Sequence, residues 1–426
     1  MPPHCQDVRR GALLFNNTTS NQKVILRKTI LLITFAFFAI TKMSFSQKPK
    51  DVLKWINSVQ TVNKDFYYEI PFEYRNDHII IKVKIGNELY DYVFDTGGYN
   101  DITDEIQGKN NFPVLTKQTV GSANQLKSSV NIVKVDSLSI GELIFKDVTA
   151  LQMNFENVPS MCGINGALIG ASIIKNFSWR IDFPQKKIIV TDNFSKFPDL
   201  PNTVKVPVSF NKRLMPYIEA KMDGKPDMYM FDLGSASLFS ITEKTAKKYI
   251  EGKELIEIFG GTIEGGNGTV KIPVKILKAN TFEIGDFVGY TNKPVVYTKL
   301  SNENLIGNPI IKDFIVTLNF KDDELYFSQI PHTKTNDGWN SFGLNIEYKS
   351  NKLVVTTIFS GLPAEKAGLN VGDEIIAIDQ QALTCSSFCD CKLIIDNILR
   401  NNSSIVFSVK KDNAISQIKL TKVKIY

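Results

Sequence analysis

Two segments far apart in the chain carry the same succession of landmarks, and this internal repeat constrains the fold more than any other feature. "IIIKVKIGNELYDYVFDTGGYNDIT" (Ile79 to Thr103) and "YIEAKMDGKPDMYMFDLGSASLFSIT" (Tyr217 to Thr242) each read as strand, turn, strand and then Asp-x-Gly. In the first, Ile81, Val83 and Ile85 alternate with Lys82 and Lys84, the two-residue period of a half-buried strand, and Gly86-Asn87 supplies the turn. In the second, Asp223-Gly224 turns the chain. A further matched pair follows, "ALIGASIIKNFSWRIDFPQKKIIV" (Ala167 to Val190) and "NLIGNPIIKDFIVTLNFKDDELYF" (Asn304 to Phe327). Asp95 and Asp232 are 137 positions apart (232 − 95), and so are Gly170 and Gly307 (307 − 170). An isolated Asp-Thr-Gly arises by chance in roughly one chain in twenty of this length. Four landmarks in one order mean duplicated lobes.

Two lobes that each present one Asp on a glycine-containing turn imply a carboxylate pair at their interface, related by a pseudo-twofold axis. Two carboxylates in contact cannot both ionise, so the pair shares a proton. One member then serves as general base on a water while the other, protonated, polarises a carbonyl. Such a pair hydrolyses an amide without a metal or a cofactor, and neither is expected here. Gly97 and Gly234 let the two turns approach each other without a side-chain clash.

At these residues the chain resembles the aspartic peptidases of the retropepsin and pepsin type. In that family each lobe carries hydrophobic-hydrophobic-Asp-Thr/Ser-Gly and, later, a hydrophobic-hydrophobic-Gly element packed behind the catalytic loop. "VFDTGG" with "LIG" (Leu168 to Gly170) and "MFDLGS" with "LIG" (Leu305 to Gly307) match position by position. The resemblance covers about Phe66 to Gln329 and implies Asp95 and Asp232 as the catalytic dyad, supported by Thr96, Gly97, Gly234, Gly170 and Gly307. It also implies glycine-rich flaps, for which "VGSANQLKSSV" (Val120 to Val130) and "FGGTIEGGNGTV" (Phe259 to Val270) lie at suitable distances; surface hairpins without a role are the plain alternative. Leu233 departs from the pattern. Family members use a Thr or Ser hydroxyl there to brace the opposite loop, so the resemblance leaves two readings, an asymmetric active site or a catalytically silent peptide-binding scaffold. Ser235 offers a neighbouring hydroxyl.

After Phe327 the polar, turn-prone "SQIPHTKTNDGWNS" reads as a linker. The run "GLPAEKAGLNVGDEIIAID" beyond it resembles a bacterial PDZ domain, with a short helix at Pro363, a glycine end at Gly368, and Gly372-Asp373 turning into an apolar strand Glu374 to Ile378. PDZ domains bind a peptide's C-terminal carboxylate on a loop and its backbone on a strand edge. The resemblance places that loop at Gly343-Leu344-Asn345-Ile346, with Asn345 standing where a glycine is usual and tolerating positive φ. Ser386 to Asn402 reads as the helix walling the groove, with Leu393, Ile394, Ile398 and Leu399 inward.

The fold expected is therefore mostly β: a leader over residues 1–47, a first lobe over 48–198, a second over 199–330, both retropepsin-like β-barrels, and a PDZ domain over 331–426. Lys23, Arg27 and Lys28 precede the twelve-residue apolar run "TILLITFAFFAI", the order of a secretory signal peptide and too short for a stable membrane span. Export to the periplasm is expected, with secretion outward or retention by the leader left open. Of the formal charge of +6, the leader contributes five, from six Lys or Arg against Asp7, so the remainder gives no reason to seek nucleic acid. The partners expected are a protein or peptide substrate and, at the PDZ domain, peptide C-termini. Four cysteines follow the leader, Cys162 and the trio Cys385, Cys389 and Cys391, and a bridge within the trio or from it to Cys162 fits an oxidising compartment. Three histidines in the whole chain argue against zinc and Ser-His-Asp sites.

Overall fold

The computed structural model describes residues 49–156, 158–285, 287–330, 339–411 and 414–425. The expected leader, Cys5, His4, His332 and most of the expected linker lie outside the described residues. The chain is built mainly of β-strands. No described helix is long and apolar enough to cross a membrane.

The two repeats fold alike. His78–Ile85 pairs antiparallel with Glu88–Phe94 around Gly86, whose φ is +59°, and Pro216–Met222 pairs with Lys225–Asp232 around Asp223 and Gly224 at +49° and +75°. Lys82 and Lys84 point to solvent from the first strand while Ile81, Val83 and Ile85 are buried, as the alternation predicts. The Leu-Ile-Gly elements then slot in parallel: Leu168–Ile169 against Val93 and Phe94, and Leu305–Gly307 against Met230 to Asp232. Each feeds a short helix with the glycine as its N-cap, Ala171–Ile174 after Gly170 and Asn308–Ile311 after Gly307.

The lobes are joined through one continuous sheet. In spatial order its strands are Tyr67–Arg75, Lys187–Thr191 and Ser178–Asp182 from the first lobe, then Phe314–Asn319, Glu324–Gln329 and Thr203–Pro207 from the second. At the seam Arg180 lies opposite Thr317. These two positions are equivalent in the repeat (317 − 180 = 137), so the pseudo-twofold axis passes between them. Arg180 Nε donates to Thr317 Oγ1 at 2.9 Å and Nη1 to the Pro198 carbonyl at 2.8 Å, which leaves the buried guanidinium partnered. Trp179, Ile181, Val316 and Leu318 are fully buried on the same strands and belong to one apolar core that runs through both lobes. At about 1.5 to 3 kcal/mol for each large apolar side chain buried, this shared core resists separation of the lobes.

The C-terminal module has its own core, with Val355, Phe407, Val409 and Ile395 at its centre. Its strands Leu344–Lys349, Lys352–Phe359, Glu374–Ile378, Ser404–Lys411 and Ala414–Thr421 pair antiparallel in that order. The helix Phe388–Asn401 is N-capped by Ser387, whose Oγ accepts the Asp390 N–H at 3.1 Å. Its inward stripe is Cys391, Ile395, Ile398 and Leu399; Ile398 and Leu399 are as expected, whereas Leu393, 37% exposed, and Ile394 lie off it. Cys391 sets the phase because it is bonded to Cys385.

A strand pairing, a disulfide and an apolar cluster of Ile256 and Ile276 with Phe359, Leu362 and Ile425 fasten this module to the lobes. Leu255–Phe259 of the second lobe pairs antiparallel with Lys352–Phe359, Ile258 opposite Phe359 and Phe259 opposite Ile358. Cys162 of the first lobe forms a disulfide with Cys389 at the start of the helix. Both kinds of bridge left open by the cysteine pattern are therefore formed, one within the trio and one to Cys162.

His78 begins a core strand, is buried, and has no hydrogen-bond partner on either ring nitrogen. Burial pushes its pKa from 6.5 down to about 4, against a smaller opposing effect of Asp77. The unfolded chain takes up this proton as pH falls below 6.5 whereas the folded chain refuses it until about 4. Stability from His78 is thus complete above 6.5 and lost as pH falls toward 4. His78→Phe removes this dependence. Urea unfolding at pH 7 and pH 4.5 is expected to show the wild type losing about 2 to 3 kcal/mol relative to the variant over that interval; parallel losses in both would refute it.

Candidate active site

Each Asp sits where its strand ends and its glycine turn begins. Asp95 follows Glu88–Phe94, and its N–H donates to the Ile169 carbonyl at 2.9 Å, so the Leu-Ile-Gly element holds the Asp95 turn from behind. Asp232 closes Lys225–Asp232 and lies beside Gly307 in the parallel pairing. The two carboxyls face each other across the pseudo-twofold axis, each packed against the glycine turn of the opposite lobe. The Gly97 N–H donates to Asp95 Oδ1 at 2.7 Å, and the Gly234 N–H to Asp232 Oδ1 at 2.8 Å.

The glycines are required by space. A Cβ on Gly97 would lie 2.5 Å from Asp232 Cγ, and one on Gly234 would lie 2.2 Å from Asp95 Cγ, so each lobe's turn is packed against the other's carboxyl. Gly170 and Gly307 face backbone in the same way: a Cβ would lie 2.2 Å from the Tyr99 carbonyl carbon and 2.1 Å from the Ser237 carbonyl oxygen respectively.

The brace between the turns is made from one side. Thr96 Oγ1 donates to the Phe231 carbonyl at 2.6 Å and accepts the Leu233 N–H at 3.0 Å, so a single hydroxyl satisfies two backbone groups of the opposite loop. Leu233 has no hydroxyl to return these bonds. Its side chain is fully buried in the core shared by the lobes. Ser235 does not substitute, because its Oγ accepts the Ser237 N–H within its own loop.

Two asparagines that the motif reading passed over complete the scaffold. Asn100 Oδ1 accepts the Gly170 N–H at 2.8 Å and its Nδ2 donates to Ser172 at 2.7 Å, while Asn308 Nδ2 donates to the Leu233 carbonyl. Each staples a Leu-Ile-Gly element to the aspartate turn of its own lobe. The available signal was an amide residue close to each motif, in "GYND" and "LIGN". Asp101, also missed, is a third buried carboxyl nearby. Its Oδ1 is unpartnered, and its burial holds its proton well above the usual carboxylate range.

Both members of the dyad are shifted upward. Burial is the main cause at Asp95, reinforced by the charge of Asp232; burial also raises Asp232, against the donation from Gly234. The pair therefore retains a proton well above the ordinary carboxylate range.

The two expected flap segments form hairpins, Val114–Gly121 with Lys127–Ile140 and Thr262–Gly265 with Gly268–Lys271. They meet tip to tip. Asn124 Nδ2 donates to the Gly268 carbonyl at 2.7 Å, and Asn267 Nδ2 donates to the Val120 and Leu126 carbonyls at 3.1 and 3.0 Å. Each also reaches the opposite lobe. Gln125 donates to the Leu300 carbonyl at 3.2 Å, and Glu264 Oε1 accepts the Ser160 N–H at 3.1 Å. With the hairpins bridged in this way, Asp95 and Asp232 are only 7% and 9% exposed.

In the C-terminal module, of the four residues assigned to the carboxylate loop only Gly343 lies in a turn. Leu344, Asn345 and Ile346 belong to the strand Leu344–Lys349. The left-handed position is Gly343, at φ +82°, and not Asn345, which pairs with Thr357. A Cβ at Gly343 would lie 2.4 Å from Leu362 Cβ, which reserves the position for glycine. The turn is thus Phe342-Gly343, between the strands Trp339–Ser341 and Leu344–Lys349. Among the described residues Leu344–Lys349 pairs with Lys352–Phe359 alone, and its other edge, unpaired, faces the helix Phe388–Asn401. No described group of three or more His, Cys, Asp or Glu is placed to hold a metal ion.

Residues 332–405 match the family model of the PDZ domain. No curated protein matches the chain. Among solved structures, the crystal structure of basic 7S globulin from soybean is similar at a TM-score of 0.38 and 10% identity, over 62% of this chain and 95% of that one.

Thr96→Val keeps the volume and deletes the hydroxyl, stranding the Leu233 N–H and the Phe231 carbonyl. At about 1 to 3 kcal/mol for each buried group left without a partner, a loss of several kcal/mol is expected in chemical unfolding. A change below about 0.5 kcal/mol, the level of an ordinary surface substitution, would show that the one-sided brace bears no load.

Proposed function

We propose that the protein is an aspartic endopeptidase in which Asp95 and Asp232 activate one water between them, with a PDZ module that binds peptide C-termini. The observation that carries this reading is the apposition of the two aspartates, each carboxyl packed against the glycine turn of the opposite lobe. In this mechanism the ionised carboxylate takes a proton from water as its oxygen bonds to the peptide carbonyl carbon. The protonated carboxyl gives its proton to the carbonyl oxygen, and a neutral tetrahedral diol forms. A proton then passes to the amide nitrogen, the C–N bond breaks, and the dyad returns to its singly protonated state. The flaps act as a gate that opens to admit a polypeptide, since both tips must release their asparagine bonds before a chain can enter. We place this activity in an oxidising compartment outside the cytoplasm, a reading supported by the two disulfides.

A second reading, a peptide-binding scaffold with a silent dyad, is favoured by Leu233, which leaves the brace one-sided. The two separate in an assay on denatured protein. Asp95→Asn and Asp232→Asn, each checked for retained folding, are expected to lower cleavage by at least about a hundredfold, the scale of a lost acid or base. Equal cleavage by wild type and both variants would exclude the dyad, and peptide binding without cleavage by the wild type would establish the scaffold.

The raised pair also fixes the pH response. At low pH both carboxyls are protonated and no base remains; as pH rises one ionises and activity appears; at higher pH the shared proton is lost and activity falls. With both shifts upward, the pH profile of kcat/KM is expected to centre nearer neutrality than the ordinary carboxylate range of about 4. A maximum at or below that range would contradict the burial of the pair.

A further inference from the structure

The unpaired edge of Leu344–Lys349 and the facing helix, between which a peptide would lie in a groove, both bear on Glu264 of the second flap. The carboxyl of this flap residue accepts the Ser160 N–H of the first lobe. Burial raises its pKa first of all, the Ser160 bonds oppose this, and smaller effects come from Lys392 and Glu347. Lys392 is on the helix and Glu347 on the edge strand, the two walls of the groove. Both walls thus lie within electrostatic reach of the flap.

The groove is also held in place relative to the cleft. The Cys162–Cys389 disulfide ties the first turn of the helix to the first-lobe segment that follows Ser160. Leu393 packs on the same segment, where a Cβ on Gly163 would lie 3.6 Å from its Cδ1. The strand Leu255–Phe259, which leads into the second flap, is the one that pairs with the module. At Gly260, between that strand and the flap, a Cβ would lie 2.2 Å from the Thr356 carbonyl oxygen.

Direction follows from the turn. A peptide that adds to the open edge of Leu344–Lys349 with its carboxylate at the Gly343 turn runs back along the strand toward Lys349. Its upstream residues leave the groove past Glu347 and Lys392, on the side where Glu264 and Ser160 lie.

We propose that the groove and the cleft are two parts of one substrate site, so that the protein acts on polypeptides gripped by their own free C-termini and cut upstream of the docked segment. This rests on the peptidase reading. The occupant is the substrate itself because the module is fixed beside the flap by a disulfide and a shared sheet. A chain held at one end enters the cleft at a high effective concentration, which lowers KM and leaves the chemical step unchanged.

The test uses the full chain with its disulfides formed and two series of internally quenched peptides. All share one cleavable sequence and an apolar last residue, separated by spacers of increasing length, and end in either a free carboxylate or a carboxamide. Expected is a KM at least about tenfold lower for the acids, with equal kcat, once the spacer is long enough to span the two subsites. A short acid-ended peptide lacking the cleavable sequence should raise KM for the acids and leave the amides unaffected. Equal KM for acids and amides at every spacer length, with both series cut, would overturn the composite site and leave the peptidase reading standing. An acid-ended peptide that instead raises kcat on the amides would make the groove a regulator and overturn it too. Cleavage of neither series would remove the peptidase reading and this proposal together.

Discussion

Two carboxyls in contact, away from water, repel each other unless they hold a proton between them, and the protein is arranged to keep them there. Neither lobe can do so alone. Each contributes one acid and also the glycine against which the other's acid rests. The pair therefore exists only while the lobes are held in register, and that task falls to the six-strand seam with its Arg180–Thr317 bond and to the core continuous across it.

The same constraint accounts for the supporting polar groups. A turn that carries a buried acid exposes backbone groups that no strand can satisfy, so side chains must. Thr96 serves two such groups across the axis, Asn100 one on its own side, and Asn308 one in the second lobe. The result is symmetric in outline and asymmetric in detail: where the first lobe spends a hydroxyl, the second buries the isobutyl group of Leu233. The asymmetry leaves the glycine donations equal, at 2.7 and 2.8 Å.

What the sequence revealed was whatever has a period or a fixed chemical form. Strand alternation around Lys82 and Lys84, the glycine turns and the matched Leu-Ile-Gly elements were legible because they express local backbone demands. Ile398 and Leu399 face inward as the apolar pattern predicts, whereas the first turns pack through Cys391 and Ile395 instead of Leu393 and Ile394, since Cys391 is bonded to Cys385. In the segment expected to form the carboxylate loop the left-handed residue is Gly343 and Asn345 lies in a strand, a backbone difference that residue letters alone do not express. Partners that depend on folding were beyond reach: the meeting of Asn124 with the second flap, the choice of Cys389 by Cys162, and the pairing of Leu255–Phe259 with the C-terminal module all join residues more than 90 positions apart.

The central claim is that Asp95 and Asp232 act as one singly protonated group. Titration calorimetry with a peptide that carries a secondary hydroxyl in place of the scissile carbonyl tests it directly, because such a hydroxyl both donates to an ionised carboxylate and accepts from a protonated one. The account predicts one molecule bound per chain by the wild type, with affinity reduced by at least about tenfold in Asp95→Asn and in Asp232→Asn alike, a loss of about 1.4 kcal/mol or more. Equal affinity in all three proteins would mean that the two carboxyls do not form a shared site.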